Sequence, residues 1–506
     1  MIHTNHLLRG ALCAVLVFPF STTARAFAFQ DETGGAAKLE DEKKDGEEKK
    51  DGDKKDAEKK DADKKKDEDK FFAVTNGDVY TGLGEILRNA TVLSKNGKIT
   101  NIGYDLDLPP DTKVLDVHGM RVYPGLVAIS SQGLLGNASG DYEDTIDPFN
   151  QRMILGLATG ITTTGSGGSA VKLKRFSVND MLLSDKIYSV FNWSTRSPRA
   201  KGELRDKFRA TSDYLRQYRE WERKVRDNKE LAEPSKKNVD NSCLAVLKGE
   251  QTAKFSASDR DDLLGIARLA QEFGFRPLIE GAQEGWTVAD ELGRAGARVI
   301  LTPRDRNSKD ERQAREGGTS IENAAILHKA GVQIAIVPSA EAVDLGGIVG
   351  RDIMHLPIEV DFAVRGLLSE QAALESITII PARMLNCAHR VGSIEVGKDC
   401  DLIVTDGDIF HYKTFVQYTI VDGKQVYDKE KELFFAQIRP RPAPAPAEKK
   451  IDKGESAEKP KEGDAKTDEK DGEKKEPEKK DGEKKDDEKK DAEKKDEKKD
   501  GEKKDG

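Results

Sequence analysis

Tyr123-Pro124-Gly125-Leu126-Val127-Ala128-Ile129-Ser130-Ser131-Gln132-Gly133 is the stretch at which this chain changes character. Before it, from Phe71 onward, short alternating and β-branched runs are separated by turn residues. Residues 72–80 carry Asn76-Gly77, residues 89–93 lead into Lys95-Asn96-Gly97-Lys98 ahead of 99–103, and 114–119 is followed by 121–123. Asn-Gly between alternating apolar residues is a hairpin signal, because both residues accept the positive φ of a type I′ turn. The block therefore predicts a small β-sheet unit. After Gly125, short apolar strands alternate with helical segments, which signals parallel β/α architecture. Residues 126–129 are the first of these strands. Side chains two apart on a strand share a face, so Ser130 and Gln132 form a pair at its end.

Beyond that strand the expected strands are 161–164, 187–191, either 245–248 or 252–255, 277–279, 298–301 and 333–337. The helices between them include 261–273, with Leu263, Leu264, Ile266, Ala267, Leu269 and Ala270 at helical spacing, and 287–295. A series of such units over roughly 260 residues fits one closed (β/α)₈ barrel better than two open sheets. Gly165-Ser166-Gly167-Gly168-Ser169 lacks the Lys-Ser/Thr ending of a phosphate-binding P-loop and reads as a flexible loop over the barrel mouth. Residues 197–241, rich in Arg, Lys and Glu with Phe208, Tyr214, Leu215, Tyr218 and Trp221 at helical intervals, read as a long amphipathic helix inserted into the barrel and packed on it. Ser369 caps a helix that stops near Pro381. β character returns at 392–404 and 418–427, so the two β blocks flanking the barrel can pair.

The 506 residues carry a net charge of −8, yet much of the charge sits in segments that lack the apolar side chains needed to fold. Residues 31–70 and 448–506 are Lys, Asp and Glu with Gly and Ala spacers, nearly balanced in sign. A balanced polyampholyte does not supply the one-signed field that nucleic acid or an anionic membrane requires. At the N-terminus, Arg9, the apolar run 11–20 and the small residues around Ala24, Ala26 and Ala28 have the form of a cleavable signal peptide. No other stretch is long and apolar enough to span a membrane. Cys243, Cys387 and Cys400 remain after cleavage; their odd number and spacing fit neither a disulfide framework nor a thiolate metal site, and they read as small core residues.

With these elements in place, the chain from about Phe71 to Lys431 resembles the amidohydrolase superfamily, in particular its imidazolonepropionase-like branch. The resemblance rests on Asn76-Gly77 through Gly97-Lys98-Ile99, on Pro124-Gly125-Leu126, on Thr378-Ile379-Ile380-Pro381-Ala382-Arg383-Met384-Leu385, and on Gly392 through Asp399 with Asp401-Leu402-Ile403-Val404. It implies an α/β fold: a (β/α)₈ TIM barrel with a discontinuous β-sandwich domain built from both ends of the globular region. The boundaries that follow are 1–28 signal peptide, 29–70 disordered charged segment, 71–124 first β part, 125–384 barrel with the insertion at 197–241, 385–437 second β part and 438–506 disordered tail.

The resemblance also implies a divalent metal such as Zn²⁺ held by histidines and an aspartate at barrel strand ends, where it activates water for attack on a C–N bond. In this chain the matching positions are Ser130 and Gln132 for the opening His-x-His, Ser256 and Gly281 for the later histidines, and Ser339 for the aspartate. Ser, Gln and Gly do not rebuild a zinc site, so no metal or cofactor is expected. Glu280, Asp259 and His355 are the fallback candidates, His355 being the one histidine expected near the mouth. Ser130, Ser256 and Ser339 lack a paired histidine base in the sequence. The reading is an exported, periplasmic or extracellular protein acting as a catalytically degenerate binding, scaffold or partner subunit, as a homodimer or paired with an intact relative. The alternative is an active hydrolase of cyclic amide, amide or dipeptide-like bonds through an atypical site.

Overall fold

The computed structural model describes residues 69–136, 141–226, 231–309, 316–343 and 350–432. The expected signal peptide, residues 29–68 of the charged segment and the tail lie outside the described residues.

Strands β1 (Phe71–Tyr80), β2 (Ile86–Lys95), β3 (Lys98–Gly103), β4 (Lys113–Asp116) and β5 (Arg121–Pro124) precede the part of the chain where strands alternate with helices. Asn96 and Gly97, at φ 52° and 85°, make the tight β2–β3 turn. Asn76-Gly77 does not turn the chain: β1 runs straight through it, with register shifts against β2 on either side of Gly77. A Cβ on Gly77 would lie 2.7 Å from Val122 Cγ2 and 2.9 Å from Val117 Cγ2, so the glycine is a bulge residue permitting close packing.

The central strands are β6 (Leu126–Ala128), β7 (Ile161–Ser166), β8 (Ser169–Lys172), β9 (Leu182–Ser184), β10 (Tyr188–Phe191), β11 (Thr252–Ala257), β12 (Leu278–Gly281), β13 (Arg298–Leu301) and β14 (Gln333–Ile336). β15 (Leu402–Thr405), β16 (Val416–Val421) and β17 (Lys424–Asp428) follow. The last three join the first five in one sheet of order β17-β16-β15-β5-β1-β2-β3, with β4 also on β1. The two ends of the chain meet where β5 pairs antiparallel with β15, Tyr123 opposite Ile403. This corrects the expected sandwich to a single hydrogen-bonded sheet. β1 is long enough to pair β4 along its first half and β5 along its second, so no strand is left to start a second sheet. Phe72, Val74, Val79, Val92, Val122, Leu402, Val404 and Ile420 form its own core.

β10 to β14 make a five-stranded parallel sheet, and β6 to β9 a four-stranded one in which only β6 and β7 are parallel. Residues 165–169 are no open loop. Gly167 and Gly168, at φ 55° and 84°, turn β7 directly into β8, because two positive-φ residues fit the twist of a hairpin. The repeat of parallel units is interrupted there. Ile187 N donates to Gly168 O at 2.9 Å, linking the sheets at one edge. At the other, Ser376-Ile377 lies between β14 and β6: Ile336 N donates to Ser376 O at 3.2 Å and Val127 N to Ile377 O at 2.8 Å. Val127, Ile129, Ala170, Ile187, Leu278, Ile300, Ala335 and Val337 face one another in a common core with Ile379, Met384 and Leu385. The alternate residues Leu126, Ala128, Ile279, Val299, Leu301, Ile334 and Ile336 pack outward among the helices.

The expected helices appear as Arg260–Phe273 and, for 287–295, as a 3₁₀ turn Gly285–Val288 running into Ala289–Arg294. Of the alternatives 245–248 and 252–255, the second is the strand; Asn241–Leu247 is a helix whose N-cap Asp240 accepts from Ser242 N and Cys243 N. Ser369 caps Glu370–Glu375 by accepting from Ala372 N, but Pro381 does not end that helix. It sits in the first turn of a second one, Ile379–Met384, where its missing N–H breaks no bond. The insertion is a 27-residue helix, Pro198–Lys224, whose Phe208 is fully buried against Phe191, Phe273 and Phe275, with ring centroids 5.3, 5.5 and 5.0 Å away. Cys243, Cys387 and Cys400 are buried free thiols, and burial pushes each up to about 12.

Candidate functional site

Strand alternation decides which residues the C-terminal ends of the central strands present. On β12, Leu278 belongs to the inner core and Ile279 to the outer one, so Glu280 shares the inner face with Leu278. On β11, Ala253, Phe255 and Ala257 are outer residues, which leaves Lys254 and Ser256 on the inner face, Ser256 in register with Glu280. Lys254 Nζ donates to Glu280 Oε1 at 3.0 Å and lies 5.7 Å from the centroid of Tyr188. The inward position on β12 is therefore Glu280. Gly281, at φ 106°, turns the chain away, and a Cβ there would lie 3.0 Å from Ala257 O and 3.2 Å from Ser258 Oγ. Burial pushes the Tyr188 phenol up, and its hydroxyl has no hydrogen-bond partner among the described residues.

The remaining family-matching positions meet two further groups. Ser130 Oγ donates to Glu341 Oε2 at 2.7 Å, while Gln132 is exposed and its backbone N donates to Glu341 O at 2.9 Å. Ser339 Oγ donates to Asp305 Oδ1 at 2.8 Å, and Arg351 Nη2 reaches the same oxygen at 3.1 Å and also donates to Ser339 Oγ. Ser256 is exposed. Ser130 and Ser339 thus each have a carboxylate partner, and neither has a histidine among its hydrogen-bond partners.

Two fallback candidates lie elsewhere. Asp259 precedes the helix Arg260–Phe273 and accepts from Asn307 Nδ2 at 3.0 Å, tying two loops together. His355 does not approach these strand ends. Its Nδ1 bonds Asp352, and the 3₁₀ turn Ile353–His355 sets it in a separate cavity of about 230 Å³ beside Ala158, Met354, Ile409 and His411. The physical reason is local: the Asp352 carboxylate three residues earlier takes the ring and holds it on that flank.

The donor set does not fit the divalent ion that the resemblance implies. Zn²⁺ takes imidazole, thiolate or carboxylate; these positions offer hydroxyls, an amide and a glycine, and the nearby Glu280 and Glu341 are engaged by Lys254 and Ser130. Among the described residues no group of three or more His, Cys, Asp or Glu is placed to hold a metal ion.

The partners of several groups escape sequence reading because they are distant in the chain. Glu284 is buried and accepts from Arg260 N at 3.0 Å and Gly318 N at 2.6 Å, clamping two loops. Glu359, fully buried, accepts from Arg304 N at 3.0 Å and Arg304 Nε at 2.6 Å, and holds that guanidinium 4.7 Å from the Phe362 ring centroid. Beside Ser339 and Gly281, the loops after β11, β12 and β13 enclose a cavity of about 1150 Å³ whose walls include Gln283, Arg304, Asp305, Arg306, Lys309 and Arg351.

The family model described as "Amidohydrolase family" matches residues 280–426. The crystal structure of an amidohydrolase from Thermotoga maritima MSB8 superposes with a TM-score of 0.55 at 25% identity, covering 71% of this chain and 100% of that one. Over residues 280–426 the chain matches the amidohydrolase family, and its fold is similar to that of a solved amidohydrolase. Other solved structures align more loosely. A prolidase complexed with N-methylphosphonate-L-proline has 17% identity, TM-score 0.44, and coverage of 71% and 100%. A zinc-bound adenosine deaminase from Xanthomonas campestris has 15% identity, TM-score 0.43, and coverage of 70% and 92%. Comparison with curated proteins gave no match. No helix among the described residues is long and apolar enough to cross a membrane.

Proposed function

We propose that this amidohydrolase-superfamily chain is a binding or partner subunit that has given up the metal centre and hydrolysis. In this reading the two central sheets are arcs of one (β/α)₈ barrel, Ser376-Ile377 and the β7–β8 hairpin spanning the gaps between them. The observation that carries the reading is the pairing at the strand ends: Lys254 with Glu280, Ser130 with Glu341. An ammonium on one carboxylate and a hydroxyl on the other satisfy groups that a metal centre would need free. The N-terminal signal pattern supports action outside the cytoplasm, and assembly with itself or with an intact relative would give a non-hydrolytic barrel a role.

The test is elemental analysis of the purified chain together with assays on N-acyl amino acids, cyclic amides and dipeptides. The expected outcome is substoichiometric Zn, Fe and Mn and no turnover. Stoichiometric metal removed by chelation along with a hydrolytic activity would overturn the proposal. A second reading, a hydrolase working through Glu280, is favoured by one feature alone, the half-exposed Lys254–Glu280 pair at the strand ends. It requires turnover that collapses in Glu280→Gln.

A further inference from the structure

We infer that Leu433-Phe434-Phe435 is a strap that packs on the exposed ring pair of Phe149 and Phe176, fixing the start of the C-terminal tail to the folded part of the chain. Nothing in this contact depends on whether the chain is hydrolytic.

Phe149 is 67% and Phe176 62% exposed, and their rings lie side by side with centroids 5.6 Å apart. A single exposed apolar side chain needs no explanation, whereas two adjoining aromatic rings make a patch that favours cover. The two loops that carry them are tied together, since Phe176 N donates to Pro148 O at 3.4 Å. Phe176 sits at φ 68°, a left-handed conformation that a bulky aromatic residue adopts only where its surroundings impose it. The loop thus holds this ring in the open against the preference of its own backbone.

The place where the described chain ends selects the occupant. Arg175 has its guanidinium carbon 4.6 Å from the centroid of the Phe176 ring, and the same guanidinium pairs with Glu432 and donates to Val426 O at 3.4 Å. Glu432 is also set by its backbone, whose N donates to Asp428 O at 3.0 Å. The carboxylate of the last described residue is therefore one guanidinium away from the ring pair. Leu433, Phe434 and Phe435 come next, and the two phenylalanines are the last aromatic residues of the chain; a Pro/Ala run and the Lys/Asp/Glu segment follow. Three extended residues reach about 10 Å, enough to lay a phenylalanine on the pair. Anchoring at Glu432 makes the encounter intramolecular, which gives these residues a higher effective concentration than a separate peptide or a second copy. Ring-on-ring contact adds to the apolar area removed from water.

The experiment is hydrogen–deuterium exchange on the full chain, read at the amides of residues 433–436. Exchange there is expected to be about 10-fold or more slower than in an unstructured peptide. The slowing is expected to vanish in Phe149→Ser/Phe176→Asn, where Asn accepts the positive φ so that the loop keeps its backbone, and a single cooperative melt verifies that the variant is folded. As a second readout, oxidation of Phe176→Cys/Phe434→Cys is expected to give a disulfide within one chain in most molecules, and Phe176→Cys/Ala447→Cys far less of it. Cys243, Cys387 and Cys400 are buried and do not compete. Exchange at the peptide rate in the wild-type chain, or undiminished protection in the folded ring-pair variant, overturns the inference. Protection that appears only at concentrations where light scattering shows a dimer, with the disulfide formed between chains, gives the ring pair to a second copy and equally overturns the strap.

Discussion

At the scale of single residues, the candidate site turns on one alternation along β12. The motif match points to Gly281, but the inner core takes Leu278, and period-two alternation then gives the inner face to Glu280. Gly281 keeps a positive φ and lies close to Ala257 O and Ser258 Oγ, a place a side chain enters only with strain. Restoring the expected histidine there should therefore fail twice. Gly281→His is predicted to lose about 1–3 kcal/mol of stability, measured by urea unfolding, from the positive-φ strain alone, and to gain no zinc affinity. An unchanged unfolding midpoint would show that β12 tolerates a side chain at this position. Ser130, Gln132, Ser256 and Ser339 are the positions that the flanking landmarks single out from the chain alone. Their partners were not, since Glu341 lies 211 residues from Ser130 and Asp305 lies 34 from Ser339.

At the scale of elements, the long insertion packs as the helical spacing of its aromatic residues indicates. Residues 198–224 are rich in basic residues, and Phe208 is fully buried in a cluster with Phe191 of β10, Phe273 at the end of Arg260–Phe273, and Phe275. The helix is a wall of the domain, and its charges line the solvent side. Phe208→Ala is predicted to destabilise the chain by about 3–5 kcal/mol through the lost burial and the cavity left behind, seen as a shift of the whole cooperative transition. A separate early transition confined to the helix, with the main transition unmoved, would mean that the insertion is an appended arm. The β7–β8 hairpin teaches the complementary lesson. Gly165 through Ser169 looked like a loop because glycine is read as flexibility. The same Gly167-Gly168 pair is what a two-residue turn requires once β8 lies alongside, and a short sequence window cannot distinguish the two.

At the scale of the whole molecule, one buried cation fastens the hairpin to the sheet made from both chain ends. Lys172 on β8 is fully buried, with Nζ 2.7 Å from Asp399 Oδ2, 2.9 Å from Asp401 Oδ2 and 2.5 Å from Asp422 Oδ1. Lys98, Lys174 and Arg390 join from around it, as does Asp180, so four cations face four carboxylates. Burial works against the charge on Asp399, but Lys172, Lys98 and Arg390 outweigh it and hold the carboxyl down to about 2. Asp401 moves the other way: burial raises it against the pull of Lys172. A carboxyl depressed on folding stabilises the native state above its unfolded value of about 3.9 and loses that contribution as pH falls towards 2. Lys172→Met is therefore predicted to cost about 3–5 kcal/mol at neutral pH, because it strands buried carboxylates, and to flatten the fall in stability between about pH 4 and pH 2. Thermal melts of both proteins across that range check it, and parallel acid profiles would remove the network from the account.

By itself the sequence determined the order of blocks, the junction at Tyr123–Leu126 and the likeness to amidohydrolases. All of these are local: a strand's period, a turn dipeptide or a motif is written in neighbouring residues, and neighbours constrain one another through backbone sterics. Only the tertiary structure decided that the flanking blocks make one sheet, that Glu280 is the inward residue on β12, that His355 belongs to another flank, and that Arg304, Arg306, Lys309 and Arg351 share a cavity. These depend on pairings across tens to hundreds of residues. Such contacts form when buried charge and apolar surface must find partners in three dimensions, and that requirement leaves no periodic trace in the chain.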